Sequence, residues 1–175
     1  MDLRLAARTC LAALGEFARA LALGREAEPL AKALDDPRRE ALIHCSVSIA
    51  LTLMGRSTEA IEPGKRAMAI AEALQEPTLC IAARYSMGLP HVYLGAYRTV
   101  IDCFQRDVGL TSEEIPARLL QPWGAGVFQE YFTRLSYSIS QSAAAVCFAE
   151  LGEFEQAMLH SERAVKFAQT LDNLC

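Results

Sequence analysis

The sequence predicts an all-α protein, a right-handed superhelix of about four helical hairpins. Two observations predict it. A hydrophobic-Gly corner recurs four times in one register, and alanines follow three of the corners at fixed offsets. A third supports them: apolar residues between corners follow a helical period.

The first segment carries Leu14-Gly15-Glu16-Phe17, then Ala20, Ala27, Leu34 and Pro37. The second carries Met54-Gly55, then Ala60, Ala67, Leu74 and Pro77. The third carries Leu94-Gly95-Ala96-Tyr97 and Val100, then diverges. The fourth carries Leu151-Gly152-Glu153-Phe154, then Ala157, Ala164 and Leu171. Gly15 to Gly55 is 40 residues, Gly55 to Gly95 is 40, and Gly95 to Gly152 is 57, or 40 plus an insertion of 17. The repeats therefore cover about 1–36, 37–76, 77–107 and 131–173, with an insertion at 108–130.

Each position has a physical reason. Gly ends the first helix, where a left-handed residue is easiest without a Cβ. Phe17, Tyr97 and Phe154 can plug the turn that follows. Small residues on the second helix let neighbouring helices approach, and the second repeat shows the period as Ala60, Ile61, Gly64, Ala67, Met68, Ala71 and Leu74. Asp36-Pro37 and Glu76-Pro77 each close one unit and open the next helix, because Pro suits a first turn. Gly24 and Gly64 share a phase and read as sites of close helix approach or of ligand contact. Pro29, Pro63 and Pro90 fall inside expected helices and should kink or break them.

The insertion carries a capping box at Thr111 to Glu114, then a loop with the only tryptophan, Trp123. Trp123 is a candidate loop anchor for a partner, or a cover over the gap between repeats.

Composition limits the function. With 52% hydrophobic residues the chain is not disordered. A net charge of -4 and no basic run longer than a pair exclude a nucleic-acid partner. No signal-peptide pattern opens the sequence, and no apolar run is long enough to cross a membrane. The six cysteines contain no CxxC and read as reduced, small apolar residues of a cytoplasmic protein. Phosphate-loop, dinucleotide, zinc-protease, esterase and EF-hand motifs are missing, and the three histidines are far apart. No catalytic residues, cofactor or metal are expected, and the chain is not read as an enzyme.

The unit resembles the tetratricopeptide (TPR) repeat, with each pair of helices lengthened beyond the usual ~34 residues. A HEAT-like array is the alternative at this period; the hydrophobic-Gly-x-aromatic corner and the alanine pair favour TPR. The TPR resemblance implies that first helices line a concave face. That places Cys45, Ser46, Ile49 and Thr52 of the second repeat in a candidate groove, with Tyr85, Ser86, Leu89 and Tyr93 of the third and Ser142 of the fourth. The positions that would form a carboxylate clamp hold Leu5, Thr9 and Ser46, so no clamp is expected.

A wider likeness rests on Asp2-Leu3-Arg4-Leu5, the run from Arg25 to Arg39, Leu94-Gly95-Ala96-Tyr97-Arg98 with its insertion, and Ala149-Glu150-Leu151-Gly152-Glu153-Phe154. Together they resemble the TPR region of bacterial multidomain adenylate/guanylate cyclase-like AAA-ATPase signalling proteins. The resemblance implies an interaction or regulatory scaffold whose partner is a protein, a peptide or another domain of the parent chain. A free-standing adaptor, or the repeat region of an ATPase-type transcriptional regulator binding a peptide or small effector, is the alternative. Both ends lack a polar capping helix, so a fragment, or a homodimer through uncapped ends, is also expected.

Overall fold

The computed structural model describes residues 7, 10–12, 14–105 and 127–172. Helices α1 (Phe17–Ala33), α2 (Pro37–Leu53), α3 (Ser57–Leu74), α4 (Pro77–Tyr93), α5 (Tyr97–Gln105), α6 (Val127–Glu150) and α7 (Phe154–Asp172) follow in order. The protein is all-α, with no strand among the described residues. Trp123, the capping box and most of the insertion lie outside them, and so do Leu5 and Thr9. Helix α6 begins at Val127, inside the segment assigned to the insertion.

The four corner glycines all adopt positive φ, at 77°, 77°, 69° and 78° for Gly15, Gly55, Gly95 and Gly152. Each corner makes the same two bonds. Gly55 N–H donates to Thr52 O and Arg56 N–H to Leu51 O, both at 2.9 Å; at the last corner Gly152 donates to Ala149 O and Glu153 to Phe148 O. These are Schellman caps, which satisfy carbonyls that the helix end would leave unpaired.

The turns leading into α2 and α4 are left-handed as well, and the first repeats the same pair of bonds, Asp35 N–H to Lys32 O and Asp36 N–H to Ala31 O. Asp35 and Gln75, neither of them glycine, take φ of 49° and 51°. Both helices start at the expected proline. Asp36 caps α2 by accepting from Arg39 N–H at 2.9 Å. Glu76 makes no such cap and instead pairs with Arg38 at 2.9 Å, joining the starts of α2 and α4.

Helix α2 is buried on two sides. Ile43, Val47, Ala50 and Leu51 pack with Leu21, Ala27 and Ala31 of α1 and with Ala60. Ala41, Leu42 and Cys45 pack with Ala67, Met68 and Ala71 of α3 and with Leu79, Ala82 and Ala83 of α4. A third cluster joins Val100, Ile101, Cys103 and Phe104 of α5 to Ala144, Cys147 and Phe148 of α6 and Ala157 of α7. Each cluster spans three helices. Consecutive helices pack together, and α2, α4 and α6 also form a contacting row.

Gly64 resolves its two readings. A Cβ there would lie 2.9 Å from Met87 Cα, so the missing side chain lets the α4 backbone approach. At Gly24 the nearest atom is a side-chain methyl of Val47, at 3.1 Å. Gly88 makes room for the Phe104 ring, 2.6 Å from where its Cβ would be.

The prolines do not break their helices: α1 runs through Pro29, α3 through Pro63 and α4 through Pro90. A proline removes the N–H that the carbonyl four residues earlier would accept. For Pro90 that carbonyl belongs to Ser86, and the Ser48 hydroxyl donates to it at 2.7 Å. The lost helix bond is thus replaced from α2. Ser48 Oγ also lies 2.8 Å from Ala60 O, so its hydroxyl sits between the two carbonyls.

Candidate functional site

The sequence-derived groove residues divide by burial. On α2, Cys45 (0% exposed) and Thr52 (1%) are in the interior. On α4, Ser86 is likewise at 0%, and Tyr85 and Leu89 are at 8% each. The expected face therefore needs correction: Cys45, Thr52 and Ser86 are not on any surface a ligand can reach. Cys45 packs against α3 and α4, the Thr52 hydroxyl donates to Ser48 O, and the Ser86 hydroxyl donates to Ala83 O. The cause is that α2 and α4 are covered on more than one side. A first helix inside a stack keeps only a narrow strip open.

That strip is readable. On α2 it carries the half-buried Ser46 and Ile49, then Leu53, which is exposed. On α4 it ends at Tyr93, 62% exposed. Tyr85 lies two turns earlier on the same face, and burial, with Tyr93 adding to the effect, pushes its phenol up to about 12. Tyr85 is a packed support; Tyr93 is the residue free to meet a partner. On α6, Ser142, Val146 and Glu150 are exposed. The Ser142 hydroxyl donates back to Ser138 O at 3.1 Å.

An open apolar groove of about 710 Å³ lies between α6 and α7. Val146, Ala149, Phe154, Met158, Ser161 and Val165 line it, with Ser142 at its edge. Ser142 and Val146, which the sequence places on the concave face of the fourth repeat, both belong to it. The sequence reading missed this groove, although Ala157, Met158, Ser161, Ala164 and Val165 follow the helical period that marked the second repeat.

Titratable groups are structural in character. His44 is 4% exposed, with Nε2 3.6 Å from Glu40 Oε1; burial lowers its pKa, against the pull of Glu28 and Glu40. His160 stacks on Phe148 at 5.1 Å, its Nδ1 is 2.8 Å from Gln141 Oε1, and burial again lowers its pKa. Burial, with Glu150 adding to the effect, raises the pKa of the Cys147 thiol. Among the described residues, no three His, Cys, Asp or Glu side chains are placed to hold a metal ion, and no helix is long and apolar enough to cross a membrane.

No protein-family model and no curated protein matches this chain.

Proposed function

We propose that the chain is a binding scaffold, a right-handed superhelix of TPR-like hairpins with no chemistry of its own. What supports this reading is the four-fold recurrence of one corner, with the same left-handed glycine and the same pair of hydrogen bonds at a register of 40, 40 and 57 residues. The row of first helices, α2, α4 and α6, supplies the binding strip, and its partner is a protein or peptide. More particularly, the scaffold is the interaction region of a bacterial cyclase-like or ATPase-coupled signalling protein acting in the cytoplasm. That narrower reading rests on the sequence resemblance alone.

Tyr93 and Leu53 are the strip's anchors, because exposed aromatic and large aliphatic side chains carry most binding energy where a partner covers them. The test is capture of a cross-linked partner by the immobilised chain from a bacterial extract. Tyr93→Ala and Leu53→Arg should each lower capture while leaving the melting temperature unchanged. Equal capture by both variants would move the binding site off the strip. Turnover of a nucleotide by the purified chain would overturn the scaffold reading itself.

A further inference from the structure

The groove between α6 and α7 has a counterpart inside the same chain. Superposing the corners Gly55 and Gly152 pairs Ser48 with Ala145, Ser57 with Phe154, Ala60 with Ala157, Gly64 with Ser161, Ala67 with Ala164 and Met68 with Val165. In the α2–α3 pair those residues are buried, and α4 is seated on Gly64, Ala67 and Met68. Leu79, Ala82 and Ala83 of α4 meet Ala67, Met68 and Ala71, while the α4 backbone at Ser86 and Met87 lies over Gly64. In the α6–α7 pair Ala145, Ala157 and Ala164 are buried as well, but Phe154 (67% exposed) and Val165 (56%) stand bare, as does Met158 (64%), whose counterpart Ile61 is half-buried.

We propose that the α6–α7 groove is a docking site for a helix of a partner protein, whose contact face carries Leu-x-x-Ala-Ala-x-x-Ser in the manner of Leu79, Ala82, Ala83 and Ser86. The two seats share their alanines, Ala60 with Ala157 and Ala67 with Ala164, and α4 shows the kind of helix that lies on the first. This deepens the scaffold reading, on which it rests, by naming a second surface and the kind of helix it takes. A second copy of this chain is the poorer occupant. Its own small-residue face, on α4, is buried at 0% exposure, and its bare α7 face would bring Phe154, Met158 and Val165 against their equals.

Of the four changes between the two pairs, the one from Gly64 to Ser161 is consistent with such a guest. A Cβ at Gly64 would come within 3.2 Å of Ser86 O and 2.9 Å of Met87 Cα, so over Ser161 the incoming helix rides further out. The hydroxyl has also crossed the seat. Ser48 donates to the Ser86 carbonyl from the α2 side, whereas the fourth hairpin has Ala145 there and Ser161 on α7. Ser161 can therefore donate to the matching carbonyl of the guest.

The experiment titrates the whole chain with a capped synthetic peptide of residues 76–94 and reads hydrogen exchange along α6 and α7. The expected result is new protection of both helices, saturating below about 1 mM. Ser161→Arg puts a bulky charged side chain in the seat and should weaken binding about tenfold or more, as should an Ala83→Arg peptide. Tyr93→Ala should leave it unchanged, which separates this groove from the strip on α2 and α4. Absence of protection at that concentration, or protection insensitive to Ser161→Arg, would overturn the proposal. So would sedimentation showing a dimer that Ser161→Arg dissolves, since the occupant would then be a second copy. None of these failures touches capture through Tyr93, and loss of the strip's role would not touch the peptide result.

Discussion

Pro90 and Ser48 sit on different helices, yet one repairs what the other removes. The Ser86 carbonyl is buried and faces a proline that cannot donate to it; the Ser48 hydroxyl, 2.7 Å away, is its donor. A buried acceptor left unpaired costs about 1–3 kcal/mol. Ser48→Ala should therefore destabilise the fold by about that much. In a Pro90→Ala background the helix regains its own N–H, and the same substitution should cost clearly less. Denaturant unfolding of the four proteins in a double-mutant cycle measures the coupling, and a value near zero would disprove the pairing. Residue chemistry of this kind was not legible in the sequence. Pro90 read as a break because nothing in the local string announces a serine 42 residues earlier as its remedy.

Helix ends were the most legible feature, and helix faces the least. A left-handed corner demands glycine for a local steric reason, so Gly15, Gly55, Gly95 and Gly152 gave away their turns; Pro37 and Pro77 opened helices for an equally local reason. Asp35 and Gln75 perform the same left-handed turn without the residue that advertises it. Burial depends on neighbours, which a single strand of text does not reveal. Cys45 and Ser142 share a phase, yet one is sealed beneath α3 and α4 and the other is exposed at the edge of the open groove. The two phase-matched glycines differ in the same way. Gly64→Ala must push against the α4 backbone and should destabilise by about 1–3 kcal/mol. Gly24→Ala meets only a Val47 methyl that can give way, and it gains up to about 1 kcal/mol of helix propensity, so its net effect should be near neutral or stabilising. Melting temperatures of the two variants check the contrast.

Across the whole molecule, burial lowers the pKa of His44, His91 and His160 from the ordinary 6.5. As pH falls below about 6.5, the unfolded chain takes up protons that the folded chain refuses, so stability declines. It is complete above that pH. A second decline follows lower down, as the carboxylates of Glu28 and Asp36 are protonated; the hydrogen bond from Lys32 lowers the first, and the Arg39 backbone N–H lowers the second. Urea midpoints measured from pH 8 to 5 should fall in wild type and fall less in a His44→Gln, His160→Gln double variant. A flat wild-type profile would refute the assignment. The three apolar clusters set a further constraint, because each draws on three helices and none closes within a single hairpin. Anyone trimming this polypeptide for crystallisation will cut through an interior wherever the scissors fall. Starting at Pro37 strips Ile43 and Val47 of their α1 cover, and stopping at Gln75 leaves Met68 and Ala71 facing water. Shorter versions should accordingly be made with a replacement helix in place of the missing one.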